Sequence, residues 1–327
     1  MTNLLGRRDF LAAGVGLGME LAAIAALAQT ELAPRAHGTD ALGRTGGSAD
    51  HGRGRRIPKQ MAKTTKLFMT PPCWPNAIAS DPLGRGFWVQ EQRHDNQRET
   101  AWLLDLNGKV LHTVATNSKD TSGMTFGNGY VWSGANGGSE IDHPTPPING
   151  IFQTDMNSRQ ISHRQIPFSP TVDGGSCHGL AWQDDKLWIF ANRLESLMRI
   201  DPVTWEVDCM FLCTRIPEIS ARLHGIEYDH GFIWQVCGAQ NPNLPGYEGY
   251  TPGLVKYDVK TGEVIQLVEF VPGSCDMHDV AVRNGQLYGV DAGEHPGWSI
   301  DNAAYQHPGW PPLNSPSGGY VFRIDLI

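Results

Sequence analysis

The chain repeats itself, and the repeat restricts the folds open to it. An aromatic residue recurs at one position of five units: Trp88, Trp132, Trp188, Trp234 and Tyr288. Each unit later carries a short apolar run ending in aspartate: "WLLD" to Asp105, "FQTD" to Asp155, "MRID" to Asp201, "VKYD" to Asp258 and "FRID" to Asp325. Turn residues follow the first four, as in "LNGK" and "VKTGE", and then another apolar run such as "EVIQLVEF". One unit therefore reads as strand, turn, aromatic strand, loop, strand, tight turn, strand. The expected fold is all-β, a five-bladed β-propeller with four antiparallel strands per blade. The fifth unit stops two residues after Asp325 and lacks its outer strand. The segment "TKLFMTP" (65–71) has the length and pattern to complete that last blade, which removes the exposed edges.

Composition agrees with this reading. Of the 327 residues, 40% are hydrophobic, enough for a sizeable core. The 38 glycines and 22 prolines suit many short strands joined by turns. Net charge is −8 and no basic stripe follows the N-terminal region, which argues against a nucleic-acid partner.

The N-terminal region reads as a targeting segment. Gly6-Arg7-Arg8-Asp9-Phe10-Leu11 is a twin-arginine pattern, a weakly apolar run follows to Ala28, and Ala26-Leu27-Ala28 is a small-residue cleavage site. Residues 1–28 are thus expected to be a signal peptide, 29–62 a disordered linker rich in Gly, Arg, Ala and His, and 63–327 one propeller domain. The mature protein is expected to be periplasmic or secreted, exported folded, with no membrane segment after cleavage, as a monomer or small homo-oligomer. Cys73, Cys177, Cys209, Cys213, Cys237 and Cys275 then sit where disulfides are permitted. With no CxxC pair, a four-cysteine zinc site has no support.

A second recurrence carries the chemistry. "SCHGLAW", "RLHGIEY" and "DMHDVAV" place His178, His224 and His278 nine residues before Leu187, Ile233 and Leu287. Ser122 fits the same frame, and Asn76 fits with two extra residues. In a propeller the first strand of each blade lines the central channel, so Asn76, Ser122, His178, His224 and His278 are expected to converge on the axis. Three neutral imidazoles suit a divalent transition metal, zinc first and copper, iron or manganese next. Three protein ligands leave a position open, as in catalytic zinc sites. Cys177 reads as packing on the opposite face of its strand.

"CHGLAWQDDKLWIFANR" and "MHDVAVRNGQLYGVDAG" resemble blade openings of NHL-like propellers, virginiamycin B lyase-like proteins and the peptidylglycine-amidating lyase domain. In that last group one histidine from each of several blades binds a catalytic zinc on the axis. The resemblance implies that role for His178, His224 and His278. Those families have six or seven units where this chain shows five, so the correspondence stops at the three histidines.

Further candidates follow from the frame. Arg93 and Arg193 lie five residues after Trp88 and Trp188, suited to orient a substrate carboxylate. Glu91 and Asp291 share a column in blades one and five, as base, partner to a histidine, or ligand of a structural calcium. Asn192 is in the same strand end as Arg193. Insertions between second and third strands, "SEIDHPTPPING", "GAQNPNLPGYEGYTPG" and the long stretch after Asp291, bring Tyr250, His295 and Trp298 as lid residues. Taken together, Tyr250, Arg193, Arg93 and Glu91 are the catalytic candidates. Asn76, Ser122, Asn192, Asp291, His295 and Trp298 are the substrate-binding ones. The expected activity is that of a metal-dependent lyase or hydrolase on a small oxygenated molecule. The alternatives are a copper or iron oxidoreductase at the same site and a non-catalytic ligand-binding propeller.

Overall fold

The computed structural model describes residues 57–93, 97–138, 149–169, 176–213, 222–238, 253–271, 277–292 and 319–327. Strand β1 is Lys59–Met69. Four antiparallel runs then follow in chain order: β2 (Pro75–Ser80), β3 (Gly86–Glu91), β4 (Glu99–Asp105), β5 (Val110–Thr116); β6 (Ser118–Gly127), β7 (Tyr130–Gly138), β8 (Gly150–Asp155), β9 (Gln160–Arg164); β10 (Cys177–Gln183), β11 (Lys186–Ala191), β12 (Ser196–Ile200), β13 (Val207–Leu212); β14 (Arg222–Asp229), β15 (Phe232–Gly238), β16 (Gly253–Asp258), β17 (Val264–Phe270). The chain ends with β18 (Asp279–Arg283), β19 (Gln286–Val290) and β20 (Tyr320–Leu326). They form three four-stranded sheets and one eight-stranded sheet, ordered β14-β15-β16-β17-β1-β20-β19-β18. The first strands of the runs, β2, β6, β10, β14 and β18, pack side by side in that order, and β18 returns to β2. This is the radial arrangement of a β-propeller.

The N-terminal strand completes the last run, with corrected bounds. It begins at Lys59 rather than 65 and ends at Met69. Ala62–Met69 runs antiparallel to β20, while Lys59–Ala62 lies parallel to Leu267–Phe270 of β17. That second partner explains the extra length, and it welds two runs into one eight-stranded sheet. The strand thus takes up the last four residues of the expected 29–62 linker. Residues 29–56 and the signal segment 1–28 lie outside the described residues.

Both sequence markers have a physical cause. Asp105, Asp155, Asp201 and Asp258 each close the turn to the fourth strand by accepting backbone N–H groups, whereas Asp325 pairs with Arg323. Asp105 Oδ1 takes those of Asn107 (2.8 Å) and Lys109 (2.9 Å), and Asp201 Oδ1 those of Val203 (2.8 Å) and Thr204 (3.0 Å). The aromatic column wedges neighbouring runs together. Trp88 stacks on Phe126 at 4.9 Å and Trp132 on Trp182 at 5.8 Å, in both cases a residue from the first strand of the next run. Tyr288 closes the circuit against Phe87 at 4.7 Å.

The glycine that follows three of the axial residues, Ser122, His178 and His224, has a different task. A Cβ on Gly123 would sit 2.5 Å from Gly179 Cα, and one on Gly179 would sit 2.8 Å from Ile226 N. The inner strands approach backbone to backbone there, leaving no room for a methyl group. Gly123→Ala is therefore expected to destabilise the protein by about 2–4 kcal/mol, read from denaturant midpoints. An unchanged midpoint would mean that the strands can part at no cost.

Candidate functional site

The axial side chains reach the centre because of β-bulges. Between β2 and β3 the pairing jumps from Pro75 to Ala77, leaving Asn76 unpaired in the ladder. The same irregularity leaves Ser122 between Thr121 and Gly123, His178 between Cys177 and Gly179, and His224 with Gly225 between Leu223 and Ile226. In the last run His278 N donates to Val290 O at 2.9 Å, and Val290 also opposes Asp279. A bulge inserts one residue and re-aims its side chain. The recurring position is thus an inserted residue rather than an ordinary member of an alternating strand.

The three imidazoles meet. His178 stacks on His224 with ring centroids 5.3 Å apart, and His224 meets His278 edge-on at 4.9 Å. His224 and His278 are each 2% exposed, and the Nδ1 atoms of His178 and His224 are out of reach of solvent. Asn192 Nδ2 lies 3.4 Å from His178 Nε2, and the Ala292 N–H donates to His278 Nδ1 at 3.3 Å. Among the described residues, no group of three or more His, Cys, Asp or Glu side chains stands in an arrangement that could hold a metal ion, and these three imidazoles as posed are no exception.

The other half of the ring is uncharged and amide-rich. Asn76 is 2% exposed and donates from Nδ2 to Thr121 O at 2.9 Å. That bond fixes the amide's orientation, and its Oδ1 is a buried acceptor that meets no donor. Asn136 Nδ2 reaches Ser122 Oγ at 3.4 Å, while its Oδ1 accepts from Ser176 Oγ at 2.7 Å. Asn136 was not among the expected site residues. It occupies the same column as Asn192, four residues after the aromatic, and that spacing is visible in the sequence.

The remaining candidates divide. Glu91 is buried, accepts the Thr100 N–H at 3.0 Å and lies 3.6 Å from Arg93, so each of this pair answers the other's charge. Arg193 is exposed on a single 3-10 turn, Asn192–Leu194, beyond the end of β11. Asp291 is fully buried immediately after β19. Tyr250, His295 and Trp298 lie outside the described residues, as does Cys275. Cys177 is buried, burial pushes its thiol up to about 12, and its Sγ donates to Gly179 O at 3.4 Å. Among the described residues Cys73, Cys177, Cys209, Cys213 and Cys237 are all free thiols.

No family model and no curated protein matches the chain in sequence. In structure it is similar to glutaminyl cyclase of Myxococcus xanthus, with a TM-score of 0.51 at 10% identity, covering 83% of this chain and 100% of that one. A protein of unknown function from Bacteroides caccae gives 0.45 at 11% identity over 70% and 87% of the two chains. The RRP9 WD40 repeats give 0.43 at 10% identity over 83% and 99%. At such identities the first likeness establishes the fold alone.

Two groups of carboxyls inside the fold went unseen in the sequence. Asp279, fully buried on inner strand β18, is raised well above the usual carboxylate range by burial, and Glu227, partly exposed on β14, is raised to about 8 by the same loss of solvent. Glu99 is the hub of a dry polar cluster with Gln90, Thr116, Ser118, Thr121 and Ser133, all at 0% exposure. It accepts from Arg93 N (2.9 Å), Thr121 N (3.0 Å), Ser118 Oγ (2.7 Å) and the Thr121 hydroxyl. Burial outweighs these donors and lifts its carboxyl from 4.5 to about 7. Between those pH values the unfolded chain has released the proton while the folded protein keeps it. Stability contributed by the protonated form is therefore full at low pH and lost as pH rises towards 7. The stability difference between wild type and Glu99→Gln is expected to move in the variant's favour by on the order of 3 kcal/mol between pH 4.5 and 7.5, measured by urea denaturation. Parallel pH profiles would contradict this assignment.

Proposed function

We propose that this is a five-bladed propeller that holds a divalent metal at His178, His224 and His278 and acts as a lyase or hydrolase on a small oxygenated organic molecule. The blade count rests on the closed ring of β2, β6, β10, β14 and β18, with the eight-stranded sheet taken as two blades joined by β1. The function rests on one observation: three imidazoles from successive inner strands stand 5.3 and 4.9 Å apart on the axis. Tetrahedral ligation at a metal–nitrogen distance of about 2.1 Å places ring centroids roughly 5 Å apart, and these two separations are of that size. The rings as posed do not form a metal-holding group, so binding an ion requires them to re-aim.

A bound ion supplies Lewis acidity and an acidified water. The chain's own residues supply orientation. Ala292 N–H and the Asn192 amide lie on the accepting nitrogens of His278 and His178, so ligation of an ion by these rings exchanges those contacts, while Asn76 Oδ1 offers an acceptor to an O–H or N–H of the substrate. Ser122 and Asn136 extend that neutral surface. Arg93, tied to Glu91, and the insertions with Tyr250, His295 and Trp298 are proposed to act on the substrate there. The resemblance to amidating-lyase propellers favours zinc. Export through residues 1–28 belongs to the same proposal, as does a role of Glu91 or Asp291 beside a structural calcium.

Metal analysis of untagged protein tests the reading. Wild type is expected to carry about one equivalent, and His178→Ala, His224→Ala and His278→Ala each much less. Zinc or manganese agrees with lyase or hydrolase chemistry, whereas copper or iron moves the assignment to an oxidoreductase. Metal-free wild type, unchanged by the three substitutions, would leave a non-catalytic ligand-binding propeller.

A further inference from the structure

We propose that Asp279 is the positioning residue that sets the separation of the strands bearing His224 and His278, by accepting N–H groups of β2 and β6 while packing against β14. This builds on the three-histidine site without being one of its ligands. The inner strands carry small residues after the axial position, at Ala77, Gly123, Gly179 and Gly225. Only the last departs from that rule, with Asp279. Its side chain fills the space that the glycine opposite leaves. A Cβ on Gly225 would fall 1.8 Å from Asp279 Oδ1 and 2.6 Å from Asp279 Cα. Gly225 follows His224, and Asp279 follows His278.

The carboxyl is wholly buried and its oxygens are taken up by backbone. Oδ2 accepts the Ile78 N–H at 3.0 Å, Oδ1 accepts the Val280 N–H at 2.9 Å, and the Met124 N–H also donates to it. Ile78 is in β2, Met124 in β6 and Gly225 in β14. One side chain on β18 therefore bonds the last blade to the first and second and packs against the fourth. The backbone adds a parallel tie, Gly225 N to His278 O at 2.9 Å. His224 and His278 stand at 4.9 Å because the strands beneath them are held at this distance. A buried carboxyl satisfied by backbone donors on three strands cannot shift without stranding one of them. An alanine there leaves three N–H groups without an acceptor and a void between β14 and β18.

Zinc titration against a chromophoric chelator tests the clasp, using wild type, Asp279→Asn and Asp279→Ala. Partners that orient ligands cost about 10–100-fold in metal affinity when removed. Asp279→Ala is expected to weaken zinc binding by about 100-fold and Asp279→Asn, which keeps the shape but loses one acceptor, by about 10-fold. Phe211→Ala is the destabilised control. It removes packing on Trp188 and Tyr257 in the outer layer and is expected to leave zinc affinity at the wild-type value. Should Asp279→Ala fail to fold, the asparagine variant decides alone. Wild-type affinity in every folded Asp279 variant overturns the clasp while leaving the metal site intact. If wild type binds no zinc, the metal reading fails separately. Ring-to-ring nuclear Overhauser contacts between His224 and His278 then decide: their loss in the Asp279 variants supports the clasp, and their persistence refutes it.

Discussion

The whole arrangement depends on how closely five strands can approach one axis. Strands in a sheet lie about 4.8 Å apart through hydrogen bonds, but the inner strands of different blades meet face to face. Here they meet at backbone contact, with Gly123 against Gly179 and Gly179 against Gly225. Glycine alone permits this spacing. The bulge preceding each small residue then has two consequences: it bends the strand towards its neighbour and turns the inserted side chain onto the axis. Close packing and convergence of functional groups are thus one geometric event.

The sequence disclosed the repeat because its causes are local and recur. An aspartate closes the third-to-fourth-strand turn in four of the runs, and an aromatic fills the wedge between neighbouring runs, so Asp105 and Trp88 have counterparts in the other units. The histidine column was legible for the same reason. What stayed hidden was pairwise and non-local. Glu99 reads as one more charged residue in "RETAWLLD"; only the fold shows Ser118 and Thr121 arriving from the next blade to receive it. The bulges were hidden too, since a one-residue insertion in every unit leaves the repeat period intact. Asp279 was readable as a break in a glycine column, but the histidine beside it drew the comparison. The end of the linker was misplaced because the parallel partner of Lys59–Ala62 lies about two hundred residues away.

The axis is polar in two distinct ways. Strands β10, β14 and β18 contribute imidazoles, and β2 and β6 contribute an amide and a hydroxyl with Asn136 behind them. The division matters because a ligand must satisfy both sides at once. The imidazole side suits a soft, multiply ligated cation. The amide side presents one committed donor, Asn76 Nδ2, and one open acceptor, Asn76 Oδ1, without formal charge.

Burying so many polar atoms in one column demands partners for each, and the partners come from neighbouring blades. Asn76 donates to β6, Ser176 donates to Asn136 of β7, Glu99 of β4 gathers donors from β6, and Asp279 of β18 takes N–H groups from β2 and β6. A polar group removed from water costs roughly 1–3 kcal/mol when its partner is lost, so each of these bonds penalises separation of the blades it joins. Ring closure and site geometry therefore share their interactions. Opening the ring anywhere would loosen the axis, and loosening the axis would weaken the ring. A site built this way gains rigidity from the closed fold without a dedicated scaffold of its own. The cost is that its polar residues are constrained by stability as well as by chemistry.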